Sequence, residues 1–311
     1  MNLWRSLALG LALWQALLSP ALAVPDRTVA IGNGVVLHFV EKGQGPTVVF
    51  VHGSLGDYTY WNDQRDAFAA AHYHVVAYSR RYNPPNTNPA VAGYSAVVDS
   101  DDLAALIKRL QLGKVYIVGH SYGALTGLFL AARHPELVRA AVLAEPPAMS
   151  LLLNLRPDRA AEGKRTFADV QQRMVGPMKA AFVRHDTDAG VGIFIDYVFG
   201  HPGTWAGMSA KDRSEAVRGA HEWEVMLPDG QLFPTIPAKS VRSIHAPILL
   251  MSGGKSYPFL ALIDTALKDL LPDCHSIVFP DAGHQMWLQH PAEARAAAMD
   301  FFGTRYSTSK R

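Results

Sequence analysis

Gly119-His120-Ser121-Tyr122-Gly123 places a serine between two glycines in the pattern G-x-S-x-G. A β-branched run, Val115-Val118, precedes it, and a small-residue stretch, Tyr122 to Arg133, follows. That order predicts a strand, a sharp turn and a helix, which would hold the serine Oγ out at the end of a sheet. An ordinary βα turn with a serine N-cap shares the pattern, but the flanking context favours a nucleophile. A serine hydroxyl needs a base within hydrogen-bond reach and an acid behind that base. His284 is the candidate base. It lies in Pro280-Asp281-Ala282-Gly283-His284, directly after a predicted strand, and this position separates it from the other members of a set of 13 histidines. His120 is expected to point away from the nucleophile, and His134, beside Pro135, reads as a helix-end residue. A third segment, His52-Gly53-Ser54-Leu55-Gly56, follows the apolar run Thr47-Val51. It can aim the Ser54 N–H at a developing oxyanion, with the Tyr122 N–H at a helix N-terminus as second donor.

The elements that must position these residues alternate. Thr28-Ile31 and Val35-Val40 flank Gly32-Asn33-Gly34 and read as a hairpin. Thr47-Val51, Val75-Tyr78, Val115-Val118, Val138-Ala144, Ile248-Met251 and Ser276-Phe279 read as strands. Helical patterns lie at Trp61 to Ala70, Ser95 to Leu110, Tyr122 to Arg133, Phe259 to Leu270 and Ala292 to Phe302. Parallel strands need helical crossovers, so this rhythm predicts a mostly parallel sheet covered on both faces. It breaks between Pro147 and about His245, a stretch rich in helical patches and aromatics such as Phe182, Phe194, Trp205 and Trp223. We read residues 147–245 as a helical cap inserted between two strands, and residues 24–146 and 246–311 as the core.

Composition narrows the class. The 311 residues are 49% hydrophobic and 18% charged, which suits a folded globular chain. Lys+Arg of 29 against Asp+Glu of 27 leaves no basic field for nucleic acid. Cys274 stands alone, so the chain can form no internal disulfide. Met1 to Ala23 reads as a secretory signal, with Arg5 in its basic region, an apolar run from Leu7 to Leu18 and an Ala21-Leu22-Ala23 cleavage site. The run is shorter than the ~20 residues a bilayer span needs. An exported chain, periplasmic or secreted, with no stable membrane span after cleavage, is the expectation.

Taken in order, His52-Gly53, Gly119-His120-Ser121-Tyr122-Gly123 and Gly283-His284 resemble the α/β-hydrolase superfamily over nearly all of the chain beyond Ala23. The resemblance implies a mostly parallel eight-stranded sheet flanked by helices, with a helical cap insertion. In most members the acid of the triad is an aspartate after the seventh strand. Here that loop, Met251-Ser252-Gly253-Gly254-Lys255-Ser256-Tyr257-Pro258, has no carboxylate; Ser256 stands about where the aspartate would be, and Asp264 comes too late. Glu145, ending the run Val138-Ala144, is the alternative, at a position where a subset of the superfamily places its acid. Glu222 and Glu224 are fallback acids. Haloalkane dehalogenases and epoxide hydrolases use an aspartate nucleophile; Ser121 in its place points to acyl chemistry. The expected activity is hydrolysis of a small hydrophobic ester or lactone through an acyl-enzyme, with no metal and no organic cofactor. Cofactor-free oxygen or perhydrolysis chemistry, or a non-catalytic binding role, are the alternatives on the same fold. Trp61 and Trp287 are expected as pocket walls. Arg80-Arg81 reads as a loop-anchoring pair.

Overall fold

The computed structural model describes residues 26–198, 202–229 and 231–308. Residues 1–23, where a secretory signal is expected from the sequence, lie outside them. Eight strands form one sheet: β1 (Arg27–Gly32), β2 (Val35–Lys42), β3 (Thr47–Val51), β4 (His74–Tyr78), β5 (Val115–His120), β6 (Val138–Ala144), β7 (Ile248–Gly253) and β8 (Cys274–Phe279). Their spatial order is β1-β2-β4-β3-β5-β6-β7-β8. The pairs β1–β2 and β2–β4 are antiparallel and all the others are parallel, so the sheet is mostly parallel, as the alternation predicts.

Helices cover both faces. In chain order they are α1 (Asn62–Ala70), α2 (Ala96–Arg109) and α3 (Tyr122–Arg133), then, among the described residues, seven α-helices between β6 and β7. These are α4 (Ala160–Val170), α5 (Gly176–Val183), α6 (Thr187–Val198), α7 (Thr204–Gly207), α8 (Ala210–Gly219), α9 (His221–Asp229) and α10 (Ala238–Arg242). After β7 come α11 (Pro258–Leu270), α12 (Met286–Gln289) and α13 (Pro291–Thr308). Among the described residues no helix is long and apolar enough to cross a membrane.

The continuous apolar runs of the central strands follow from burial on two sides. Side chains alternate along β3. Val49 and Val51 join the larger core, with Leu103, Ile107, Leu125 and Leu128. Val48 and Phe50 face the other way, into a second core with Trp61, Phe68, Trp287 and Phe302. Trp61 and Trp287 pack edge-on at 5.3 Å within this second core, and both are fully buried. They are therefore not pocket walls. The reason is local geometry. Tyr58–Trp61 forms a 3-10 turn rather than the start of α1, and in that helix successive side chains diverge by a third of a turn. Tyr60 thus faces the cleft beside Ser121, while Trp61 turns under the sheet.

Parallel register brings four strand ends together. Ser121 follows β5, Glu145 follows β6, Gly253 ends β7 and His284 follows β8, at the C-terminal edge where open α/β sheets form their sites.

Candidate active site

Ser121 sits at φ 54°, ψ −122°, between β5 and the first turn of α3. A serine in this sparsely populated region must be held there by its surroundings, and the two glycines of the motif show how. A Cβ on Gly119 would lie 2.6 Å from the Gly123 carbonyl oxygen, and one on Gly123 would lie 2.2 Å from the Val51 carbonyl oxygen. Only glycine lets helix, elbow and β3 approach this closely. The Ser121 N–H is tied to the Ala144 carbonyl at 2.8 Å, which fixes the elbow to the end of β6.

Glu145, the next residue after Ala144, is 1% exposed and also has positive φ, 50°. Its N–H continues the ladder to the Met251 carbonyl at 3.1 Å. Its carboxylate is held by three donors. Gly253 N–H donates to Oε1 at 2.8 Å, Ser256 Oγ donates to Oε2 at 2.7 Å, and His284 Nδ1 lies 2.5 Å from Oε2. With Nδ1 carrying its proton toward Glu145, the other nitrogen, Nε2, is left for the serine proton. Ser121 and His284 line the same chamber and the same outer cleft.

His120 lines the outer cleft with Ser121, and its ring lies 4.7 Å from that of His284. Its Nε2 lies 2.8 Å from the His284 carbonyl oxygen. A carbonyl only accepts, so Nε2 carries the proton and the neutral ring is an Nε2–H tautomer. Burial, followed by the neighbouring His284, pushes its pKa down to about 3. The ring stacks on Tyr60 at 5.3 Å with an interplanar angle of 5°, and the Tyr60 hydroxyl donates to Gln285 Oε1 at 3.1 Å. The loop after β8 is thereby gripped at His284 and again at Gln285.

The other sequence-predicted residues separate into groups. Ser54 and Tyr122 both line the chamber with Ser121, and Tyr122 opens α3, where first-turn amides have no helical acceptor. Asp264 lies in α11, buried, receiving the Ser252 hydroxyl and no contact from His284. Burial pushes its pKa up to about 7. Glu224 pairs with His221 and Thr187 at the surface. Glu222 is fully buried against Arg80. Arg81 holds Asp102 with two hydrogen bonds, the anchoring role expected of the pair.

Two spaces meet at Ser121. The chamber is apolar, walled by Met174, Phe194, Trp223, Leu232, Phe233 and Tyr257. The outer cleft is more polar, with Asp57, Thr59, Glu215, Arg218 and Gln285 along it. Tyr257 escaped the sequence reading although it adjoins Ser256; its ring lies 5.4 Å from that of His284.

Known proteins share this fold. Residues 46–291 match the alpha/beta hydrolase fold family model, and the chain belongs to that family. It is 29% identical over 178 residues to "Bifunctional epoxide hydrolase 2" of Sus scrofa, a match covering 53% of this chain and 32% of that protein. The first curated relatives are thus matched over less than half of their own length. "2-(Acetamidomethylene)succinate hydrolase" of Mesorhizobium japonicum is 26% identical over 261 residues, covering 83% of this chain and 88% of that one. The crystal structure of carboxylesterase CesB (YbfK) from Bacillus subtilis superposes with a TM-score of 0.67 at 18% identity, over 91% of this chain and 92% of the other.

Proposed function

We propose that this protein is a serine hydrolase that cleaves a small hydrophobic carboxylic ester or lactone through an acyl-enzyme. The observation that carries the reading is the 2.5 Å contact between His284 Nδ1 and Glu145 Oε2, beside a chamber that Ser121 also lines. His284 Nε2 takes the Ser121 proton as Oγ bonds to the substrate carbonyl carbon. The Ser54 and Tyr122 amides stabilise the oxyanion. The tetrahedral intermediate collapses, the alkoxy C–O bond breaks, and His284 returns the proton to the leaving oxygen. A water deprotonated by His284 then attacks the acyl carbonyl and releases the acid and Ser121. Residues 147–245 act as a cap on a core formed by residues 24–146 and 246–311.

The serine favours this acyl chemistry over that named for the epoxide hydrolase relative. Opening an epoxide on Ser121 would leave a serine ether, which has no carbonyl for water to attack. An acyl ester on the same oxygen is readily hydrolysed. The polarity of the two spaces supports an orientation, with the acyl chain in the apolar chamber and the leaving alcohol in the polar cleft. We further propose that the chain is exported after cleavage following Ala23. A mature N-terminus at Val24 in a periplasmic or culture fraction is the expected finding, and an intact Met1 there would oppose it.

The test is hydrolysis of p-nitrophenyl butyrate by the mature protein and by Ser121→Ala. A loss of at least about 10³-fold in kcat in the folded variant is expected. Equal rates in the two proteins would remove Ser121 from the mechanism.

A further inference from the structure

The backbone of Leu55 is gripped on two sides by the inserted helices. Its N–H donates to Glu222 Oε1 of α9 at 2.8 Å. On the other side stands Gly219, the last residue of α8, where a Cβ would lie 2.2 Å from the Leu55 carbonyl oxygen. Leu55 has φ 62°, a left-handed conformation that a leucine keeps only where its surroundings impose it. It directly follows Ser54.

Glu222 is itself anchored below. Its Oε2 lies 2.5 Å from Arg80 Nη2, and Arg80 Nη1 lies 2.8 Å from Asp99 Oδ2. Arg80 also donates to the Gly53 carbonyl at 3.3 Å, and its guanidinium lies over the Tyr122 ring at 4.8 Å. The Tyr94 hydroxyl completes Asp99 at 2.6 Å. The side chains of Arg80, Asp99 and Glu222 are essentially sealed from solvent. One buried charge cluster therefore holds the residues on both sides of Ser54 and touches the ring of Tyr122. Ser54 and Tyr122 are the two residues whose amides the acyl-transfer reading directs at the oxyanion.

We infer that Glu222 is a positioning residue that clamps the inserted helices onto the loop 53–56 and sets the direction of the Ser54 N–H. The oxyanion site is complete only while those helices are docked, so substrate closure and activation are one event. The catalytic consequence rests on the serine-hydrolase reading; the clamp does not. A carboxylate is suited to the task because it has two oxygens to divide, one for an amide of the loop and one for a cation of the core. When Glu222 is removed, Arg80 keeps Asp99 as its partner, whereas the half-buried Leu55 N–H loses its acceptor.

The test uses the full chain as wild type, Glu222→Ala, Glu222→Gln and Gly219→Ala, with two readouts. The first is amide hydrogen exchange without substrate. Leu55 should exchange at least about tenfold faster in Glu222→Ala, with β5 and α3 still protected. Gly219→Ala, whose new methyl presses on the same carbonyl, should loosen the same segment and serves if Glu222→Ala does not fold. The second readout is p-nitrophenyl butyrate hydrolysis. We expect kcat to fall by roughly 10- to 100-fold with KM within about threefold, and Glu222→Gln, which keeps an acceptor for Leu55, to lie between. Unchanged exchange at Leu55 overturns the clamp. Faster exchange with unchanged kcat overturns its role at the oxyanion site, and faster exchange throughout the sheet makes Glu222 a fold residue only. If wild type hydrolyses no ester, the functional reading fails by itself, and the exchange data still decide the clamp.

Discussion

Ser256 donates its hydroxyl to Glu145 Oε2 at 2.7 Å, on the same oxygen that faces His284 Nδ1. A hydroxyl of the loop after β7 thus serves the carboxylate that follows the neighbouring strand β6. Loss of one such bond is worth about 1 kcal/mol, so Ser256→Ala should lower kcat by roughly 3- to 10-fold. Ser256→Asp should do more harm, because two carboxylates in contact cannot both stay ionised at low cost. The same substitution should help once Glu145 is gone. Glu145→Ala/Ser256→Asp is expected to exceed Glu145→Ala by at least about tenfold in kcat for p-nitrophenyl butyrate. Equal rates would mean that the loop after β7 cannot present a carboxylate to His284.

His120 should be silent as a base but necessary as a support. With its pKa pushed down to about 3 by burial and by His284, it stays neutral at every pH above about 4. Histidine ring NMR from pH 5 to 8 should show one Nε2–H signal that does not titrate. His120→Phe keeps a flat ring against Tyr60 but takes the donor from the His284 carbonyl. A kcat reduced by about tenfold, with an unchanged pH profile, is the expected result. A profile whose acid limb moves would give His120 a proton-transfer role after all.

How far the site can be read without coordinates depends on how local each signal is. Gly119 to Gly123 encode their own turn, and the strand before each loop assigns Ser121, Glu145 and His284 to one sheet edge, because parallel strands share direction. Whether a side chain points above or below that edge is not local. Trp61 and Trp287 are close in sequence to cleft residues Tyr60 and Gln285, yet helical rotation over one residue and over two sends them into the second core. The Leu55–Glu222 bond spans 167 residues, and no spacing rule connects its partners. Glu222 and Glu224 flank Trp223 alike in the sequence, and nothing in that spacing tells the buried acid from the exposed one.

Asp264 makes stability depend on pH. Burial raises its pKa to about 7 from an ordinary 3.8. Between those values the folded chain holds a proton that the unfolded chain has lost, so this group's contribution to stability declines as pH rises from about 4 to 7. The decline is on the order of a few kcal/mol. Asp264→Asn cannot ionise. Relative to wild type it should therefore be more stable at pH 8 than at pH 5, as read by urea midpoints at both values. A constant difference between the two proteins would show that Asp264 is already ionised in the fold at pH 5.

Trp287 and Phe194 should separate stability from selectivity. Trp287 touches Trp61 in the lower core and lines neither space at Ser121. Trp287→Ala removes a large buried ring, so a loss of about 3–5 kcal/mol is expected, with KM for any ester unchanged in the fraction that remains folded. Phe194 of α6 lines both the chamber and the cleft, and its ring leans on Trp223 at 4.7 Å. Phe194→Ala opens the partition between the two spaces while leaving the sheet core untouched. The ratio of kcat/KM for p-nitrophenyl octanoate over butyrate should rise several-fold, since each additional buried methylene contributes about 0.8 kcal/mol. If the ratio stays flat, the acyl chain does not enter the chamber past Phe194, and the polar cleft must receive it instead.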